Sequence, residues 1–396
     1  MKNSTIGSGE AGKHRGKRFL SSLLAFLLSL AILEIGGFLI WRISISPVTK
    51  ANVQALCRSG ADQIQMLPNT FWHHEFNPRH PAYAGQVNSM GTKGGEFQLP
   101  KPQGELRIVC LGDSTVEGTG VKPDETFPHY LETILQKWMN PGSGYRSVNV
   151  INAGIGSHNS AFNLSYLAFR LIHYNPDIVV IKSAYNDYLP YSVPGMGYDY
   201  THVFPNPYHR VQPSAFWTAA RYSHFLKLVG SVVFREEVAI PFRDFSGHIT
   251  IEQFQNMDFS ANEDRFFVYG ENMRSMILLC KGRGIGVILV DLPTSPDPAH
   301  FGKDRTFGPR FKNLVARLET ELRRIAGEER IAVVATGPFR AEDFWDHCHC
   351  TAGGNRKVAE AVAEAVAASL PGGRAGASGK GIPKEASNNQ NQEGLR

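Results

Sequence analysis

Cysteine is scarce in this chain: Cys57, Cys110, Cys280, Cys348 and Cys350 are the only five in 396 residues. An odd number this small excludes a disulfide framework as the means of holding so long a chain together. One pair is compatible with an oxidising compartment, and the spacing does not choose it. Cys110 falls inside an apolar run and is expected to be a small core residue. No internal repeat is present. Spread-out basic charge is lacking too. The formal charge of +5 is concentrated at one end, where Lys2, Lys13, Arg15, Lys17 and Arg18 face the single acid Glu10. The remainder is almost neutral, which excludes a nucleic-acid footprint over the fold. Otherwise the composition, 42% hydrophobic and 19% charged, is that of a globular chain able to bury a large core.

Only one long hydrophobic run exists, Phe19 to Trp41, interrupted by Glu34 alone. As a helix it would span about 35 Å against a hydrocarbon core of about 30 Å. It is too long for the core of a signal peptide and ends in Leu39-Ile40-Trp41-Arg42 without a small-residue cleavage site. We therefore expect a basic cytoplasmic tail (1–18), one transmembrane helix (19–42) that is not cleaved, and a chain beyond it that lies in the periplasm or outside the cell. The surplus of basic residues before the span sets that orientation.

From 43 to 105 the sequence is irregular and rich in Pro, His and Gly, and reads as a juxtamembrane connector packed on the main fold. His73, His74 and His80 lack the ligand spacing of a metal site and are read as surface or satisfied histidines.

Beyond it, strand and helix patterns alternate. Leu106–Leu111 is a run of β-formers that stops at Gly112-Asp113-Ser114. Phe127, Tyr130, Leu131, Ile134, Leu135 and Trp138 recur at helical spacing. Further strands are expected at Val148–Ile151, Pro176–Ile181, Ile285–Val290 and Ile331–Val334. Helices are expected at 159–173, 261–281, from about Phe311 to Ile325, and 354–370. Such alternation implies a parallel sheet with helices on both faces. An aromatic-rich insertion at 188–247 breaks the pattern; it carries Tyr191, Tyr198, Tyr200, Phe204, Tyr208, Phe216, Trp217 and Tyr222. Its place after a strand's carboxyl end suits a wall or lid, and its aromatic faces suit a sugar or acyl chain as well as a small core of their own. The tail, 371–396, has the composition of a disordered segment.

Open α/β sheets keep their chemistry at the carboxyl ends of strands. Ser114 stands at such an end, either as a nucleophile or as a helix cap. Ester cleavage by a serine needs a base, a group that orients the base and donors for the oxyanion. His349 is the candidate base, and Asp346, three residues earlier, can fix its tautomer. Candidate donors are the backbone N–H of Ser114, a backbone N–H in the Gly154–Ser157 turn, and the side-chain amide of Asn186. Asp113 and Asp187 cannot donate when ionised and are expected to brace turns. A rival reading makes Asp346, His347, Cys348, His349 and Cys350 a zinc site, but adjacent residues on one loop rarely converge on one ion.

Gly112-Asp113-Ser114, the Asn152–Ser157 turn, Asn186-Asp187 and Asp346-x-x-His349, in this order, resemble the four sequence blocks of the SGNH (GDSL) hydrolase superfamily over about 106–370. Asn88–Gly94 resembles a segment that precedes this domain in membrane-anchored bacterial members. The resemblance implies a flavodoxin-like three-layer α/β/α sandwich with a parallel sheet, preceded here by one transmembrane helix. It also implies Ser114 as nucleophile and oxyanion donor, Asn186 as a further donor, His349 as base and Asp346 as its partner. Two departures stand out. Ser157 occupies the usual oxyanion glycine position, so that donor is either Ser157 or Gly156, and Ala184 replaces a glycine of the third block. The expected activity is hydrolysis of an ester, such as an O-acetyl or short acyl group on a glycan or envelope substrate, with no metal or organic cofactor. Its partners would be an acylated glycan, lipid or other ester and the membrane, not nucleic acid. An extracytoplasmic O-acyltransferase would carry the same residues. An idle envelope scaffold would have no need of them.

Overall fold

The computed structural model describes residues 8–47, 49–50, 53, 57, 66–69, 71–79, 83–138, 144–187, 215–235, 266–302 and 306–370. The 371–396 tail, the 188–214 and 236–247 parts of the insertion, and His80 lie outside them.

Helix α1 (Ser8–Ser44) comes first. Its segment Lys17–Ser44 is long and apolar enough to cross a membrane. A two-stranded antiparallel hairpin follows, β1 (Met66–Asn69) and β2 (His73–Phe76). This hairpin falls in the stretch expected to be irregular, because Pro68 and the His-His-Glu run of β2 show no apolar alternation.

The main sheet has five parallel strands: β3 (Glu105–Gly112), β4 (Ser147–Gly154), β5 (Ile178–Lys182), β6 (Gly286–Val290) and β7 (Val333–Val334), in the order β4-β3-β5-β6-β7. The connecting helices are α2, a single turn at Ser114–Glu117, α3 (Phe127–Trp138) and α4 (Ser160–Phe169). Two short helices, α5 (Ala215–Ala220) and α6 (His224–Val233), belong to the insertion. Next come α7 (Phe267–Lys281), α8 (Phe307–Glu328) and α9 (Ala352–Ser369).

Alternation along the strands divides the core in two. Val109, Leu111, Val179 and Ile181 face a cluster with Tyr166 and Leu167 of α4, Met273 and Ile277 of α7, and Phe311 of α8. Ile108, Cys110, Ile178 and Val180 face Leu131 of α3 and Val358 and Val362 of α9. Three layers result, the flavodoxin-like arrangement of helices, parallel sheet and helices. Each hydrophobic face of the sheet is covered because a parallel sheet has no wet side. All five cysteines are buried free thiols.

In this strand order the chain leaves β3 toward one edge and returns through β5 toward the other. A crevice opens at such a reversal, beyond the carboxyl ends of the two strands. Ser114 follows β3 and Asn186 follows β5.

Away from the sheet, α1 carries a small core of its own, in which Trp41 and Trp217 pack with Val53, Cys57 and Ala220. Glu34 accepts from the Ser223 hydroxyl at 2.6 Å and from the His224 N–H at 2.5 Å. Its carboxylate thus caps the amino terminus of α6, where unpaired N–H groups and the helix dipole favour negative charge. Gly37 lets the two helices meet closely: a Cβ there would lie 2.7 Å from the Phe225 backbone.

Candidate active site

Strand β3 delivers Ser114 through a tight turn. Gly112 has no room for a side chain, since a Cβ would fall 2.1 Å from the Lys182 carbonyl oxygen. Asp113 caps α2, accepting from the Thr115 N–H at 2.9 Å and the Thr115 hydroxyl at 2.8 Å. Gly118 closes the turn in the left-handed region (φ 88°). Beneath it the buried Lys182 donates to the Thr115 hydroxyl at 2.7 Å and lies 4.8 Å from the Tyr185 ring centre. Neither sequence pattern nor motif singled out Lys182, which sits at the end of a strand whose other residues are all apolar.

His349 Nε2 lies 2.8 Å from Ser114 Oγ, and His349 Nδ1 lies 2.7 Å from Asp346 Oδ2. A carboxylate can only accept, so Nδ1 carries the proton and Nε2 is left to accept from the serine hydroxyl. The other carboxylate oxygen, Oδ1, accepts from the backbone N–H groups of Cys348 (2.9 Å) and His349 (2.7 Å). Burial alone would raise the Asp346 carboxyl, but the hydrogen bonds from His349 and the electrostatic interaction with the His349 and His347 rings outweigh it and hold the pKa at about 2. Asp346 is therefore a fixed negative charge that orients the ring.

The loop carrying these groups is itself a tight turn, in which Trp345 N–H donates to the His349 carbonyl at 3.1 Å. The Trp345 ring stacks on His349, 5.2 Å between centres and 19° between planes, and its Nε1–H donates to the Thr119 carbonyl. Nearly half of Trp345 remains exposed, at 45%. The ligand atoms of Asp346, His347 and Cys348 lie within 4.8 Å of one another, which is the geometric basis of the zinc reading. The carboxylate, however, is already engaged by His349 and two N–H groups, and burial pushes the Cys348 thiol well up, away from the thiolate a metal requires.

The turn after β4 forms the facing wall. A Cβ on Gly156 would stand 4.0 Å from Ser114 Cβ, so this turn runs directly beside the serine. The Gly156 N–H is already taken: it donates to Glu117 Oε2 at 2.7 Å. Ser157 adopts the left-handed conformation, φ 65°, that a glycine would adopt freely. The following residues tie this turn to Asn186, whose Nδ2 donates to the His158 carbonyl at 3.0 Å. Asp187 accepts from the Ser160 N–H and hydroxyl and so braces α4.

Two contacts come from the hairpin upstream of the sheet. His74 Nε2 lies 2.9 Å from the Gly156 carbonyl oxygen, and His158 Nε2 lies 3.0 Å from the His74 carbonyl oxygen. Both rings are buried. Burial pulls the His74 pKa down to about 4, with the Gly156 bond working the other way, so the ring is neutral near neutral pH.

A sequence model of the GDSL-like Lipase/Acylhydrolase family matches residues 110–357, more than half of the chain. The chain belongs to this family. It is accordingly an enzyme acting on ester bonds. Among solved structures, it is similar to the lipase/acylhydrolase of Enterococcus faecalis, with 17% identity, 68% of this chain and 99% of that chain covered and a TM-score of 0.39. It is also similar to a catalytic mutant of an acetylxylan esterase from Geobacillus stearothermophilus, with 16% identity, 65% and 91% coverage and a TM-score of 0.36. Comparison with curated proteins returns no match. In this chain Ser114, His349 and Asp346 stand in hydrogen-bond contact, beside a turn in which Ser157 adopts the left-handed conformation.

Proposed function

We propose that this acylhydrolase is a membrane-tethered serine esterase that removes O-acetyl or other short acyl groups from a glycan of the cell envelope. The observation that carries the chemistry is the unbroken chain Ser114 Oγ, His349, Asp346, with contacts of 2.8 and 2.7 Å. Ser114 Oγ attacks the acyl carbonyl while His349 Nε2 takes its proton. The negative charge that develops on the carbonyl oxygen is met by the N–H groups of Ser114 and Ser157 and the free hydrogen of the Asn186 amide. Gly156, whose N–H is held by Glu117, shapes the turn without donating. His349 then protonates the departing alcohol, leaving an acyl-enzyme. Water attacks next, His349 takes a proton from it, and collapse returns the free acid and the serine hydroxyl.

Support for a sugar leaving group comes from Trp345. Its ring lies beside the histidine that protonates the alcohol, and its exposed part offers the flat apolar surface on which a pyranose packs. Support for the tether is Lys17–Ser44 with the basic residues at its amino-terminal end; that bias favours an extracytoplasmic side for the catalytic domain, 106–370.

Ser114→Ala is expected to lower kcat on a chromogenic aryl acetate by at least about 10⁴-fold with an unchanged far-UV spectrum. Retained turnover overturns the nucleophile assignment. Incubation with acetylated oligosaccharides is expected to release free acetate; acetyl appearing on an added sugar acceptor would make the enzyme a transferase.

A further inference from the structure

Gly156 is held through both of its backbone polar groups, the carbonyl oxygen and the N–H. Its carbonyl oxygen receives His74 Nε2 from hairpin strand β2. Because an oxygen acceptor faces that nitrogen, the buried ring must present Nε2–H. A trans peptide points its C=O and N–H in opposite directions. Fixing the Gly156 carbonyl toward His74 therefore fixes the Ser157 N–H away from it. A flipped plane would put a carbonyl oxygen where a donor is required. The left-handed conformation of Ser157 (φ 65°) is strained for any residue with a Cβ, so an external hold on the preceding peptide favours it.

The second hold is ionic. Glu117 Oε2 accepts from Gly156 N–H, and Glu117 Oε1 lies 2.9 Å from Lys93 Nζ. Lys93 comes from a turn organised by Asn88, whose side chain accepts from the Met90 and Thr92 N–H groups and donates to the Thr92 hydroxyl. The Lys93 N–H also donates to the Asn152 carbonyl at the end of β4, at 3.2 Å. A carboxylate one helical turn from Ser114 would oppose the negative charge of the tetrahedral intermediate. Lys93 neutralises it.

We propose that His74, Lys93 and Glu117 are positioning residues for the oxyanion donor of Ser157, and that strand β2 and the turn at 88–94 are therefore part of the catalytic unit. The inference rests on Ser114 being the nucleophile. In place of a loop rigid by its own glycine, this enzyme uses a serine held in the glycine conformation by a neutral histidine on one side and a compensated carboxylate on the other.

Full-length enzyme in detergent micelles, assayed with a chromogenic aryl acetate, tests it. Removing one oxyanion donor outright costs about 10²–10³ in kcat, so misaiming it should lower kcat by about 10- to 100-fold, with KM within about twofold. His74→Ala is expected to show this loss and His74→Gln, whose amide can still donate to the Gly156 carbonyl, to recover most of it. Lys93→Met is expected to lower kcat by exposing the Glu117 charge, and Lys93→Met/Glu117→Gln to be more active than Lys93→Met alone. Equal kcat per folded molecule in wild type and His74→Ala would overturn the proposal. If His74→Ala does not fold, the Lys93 and Glu117 cycle decides: strictly additive losses overturn it. Ser114→Ala run in parallel separates the two ideas. An active Ser114→Ala removes the nucleophile reading, whereas an inactive one beside an additive cycle removes the positioning role alone.

Discussion

Asp346 illustrates how much one residue can do when both its oxygens are occupied. One holds the His349 ring, and the other holds the backbone that carries the ring. Its pKa is depressed to about 2 in the folded chain, against about 3.9 in an unfolded one. A group whose folded pKa is lowered stabilises the fold fully above the unfolded value and loses that contribution as pH falls through the folded value. The thermal-stability gap between wild type and Asp346→Asn should therefore be constant from about pH 8 to 5 and close between about pH 4 and 2. A gap that ignores pH would show that the charge on Asp346 does not stabilise the fold. In activity, Asp346→Asn is expected to lower kcat by about 10²–10⁴-fold, because an amide can hold the wrong tautomer of His349. Ser114, Asp346 and His349 were legible as candidates because each lies in a short local pattern. His74 and Glu117 were not. Their contacts to Gly156 span 82 and 39 residues, and nothing in a His-His-Glu or Val-Glu-Gly stretch announces what the side chain will meet. The two N–H groups of the Gly156–Ser157 turn were indistinguishable in sequence for the same reason: only the fold brings a carboxylate to one of them.

At the scale of elements, the strand ends matter more than the strands. Gly112 and Gly154 are register partners at the carboxyl ends of β3 and β4, and both are crowded by backbone. A Cβ on Gly154 would fall 2.1 Å from the Glu117 nitrogen. Backbone cannot step aside as a flexible side chain can, so Gly154→Ala is expected to destabilise the fold by more than about 2 kcal/mol, read as a lower urea midpoint at constant slope. Wild-type stability in that variant would mean that α2 is free to move. The strands of the main sheet were readable because buried parallel strands are continuous apolar runs. Their lengths were less so: β7 is only Val333–Val334, although the apolar run begins at Ile331. The predicted helix at 159–173 ends at Phe169 and continues as a 3₁₀ turn, Leu171–Tyr174, since apolar spacing alone does not distinguish the two windings. The β1–β2 hairpin escaped notice because neither strand alternates, and its role lies in one buried ring and one carbonyl.

On the scale of the whole molecule, the strand order brings Ser114 and Asn186 to the same crevice, an outcome that alternation of strands and helices implies but cannot by itself specify. The contact between α1 and α6 was outside anything sequence could offer, because Glu34 and Ser223 are 189 residues apart. It has a consequence for shedding. Ectodomains on a single tether leave the membrane when the tether is cut. Here the polypeptide returns to α1, the proposed anchor, and grips it through Glu34 and Gly37. With a site-specific protease sequence inserted between Arg58 and Gln65, cleaved wild-type enzyme is expected to stay in the membrane fraction, clasped by the insertion. The same cut in Gly37→Leu, where the added side chain would strike the Phe225 backbone, is expected to release the esterase into solution. Release of both proteins would show that the clasp is too weak to hold. Retention would mean that this enzyme resists the proteolysis that frees other tethered enzymes, and that it acts only where its anchor is.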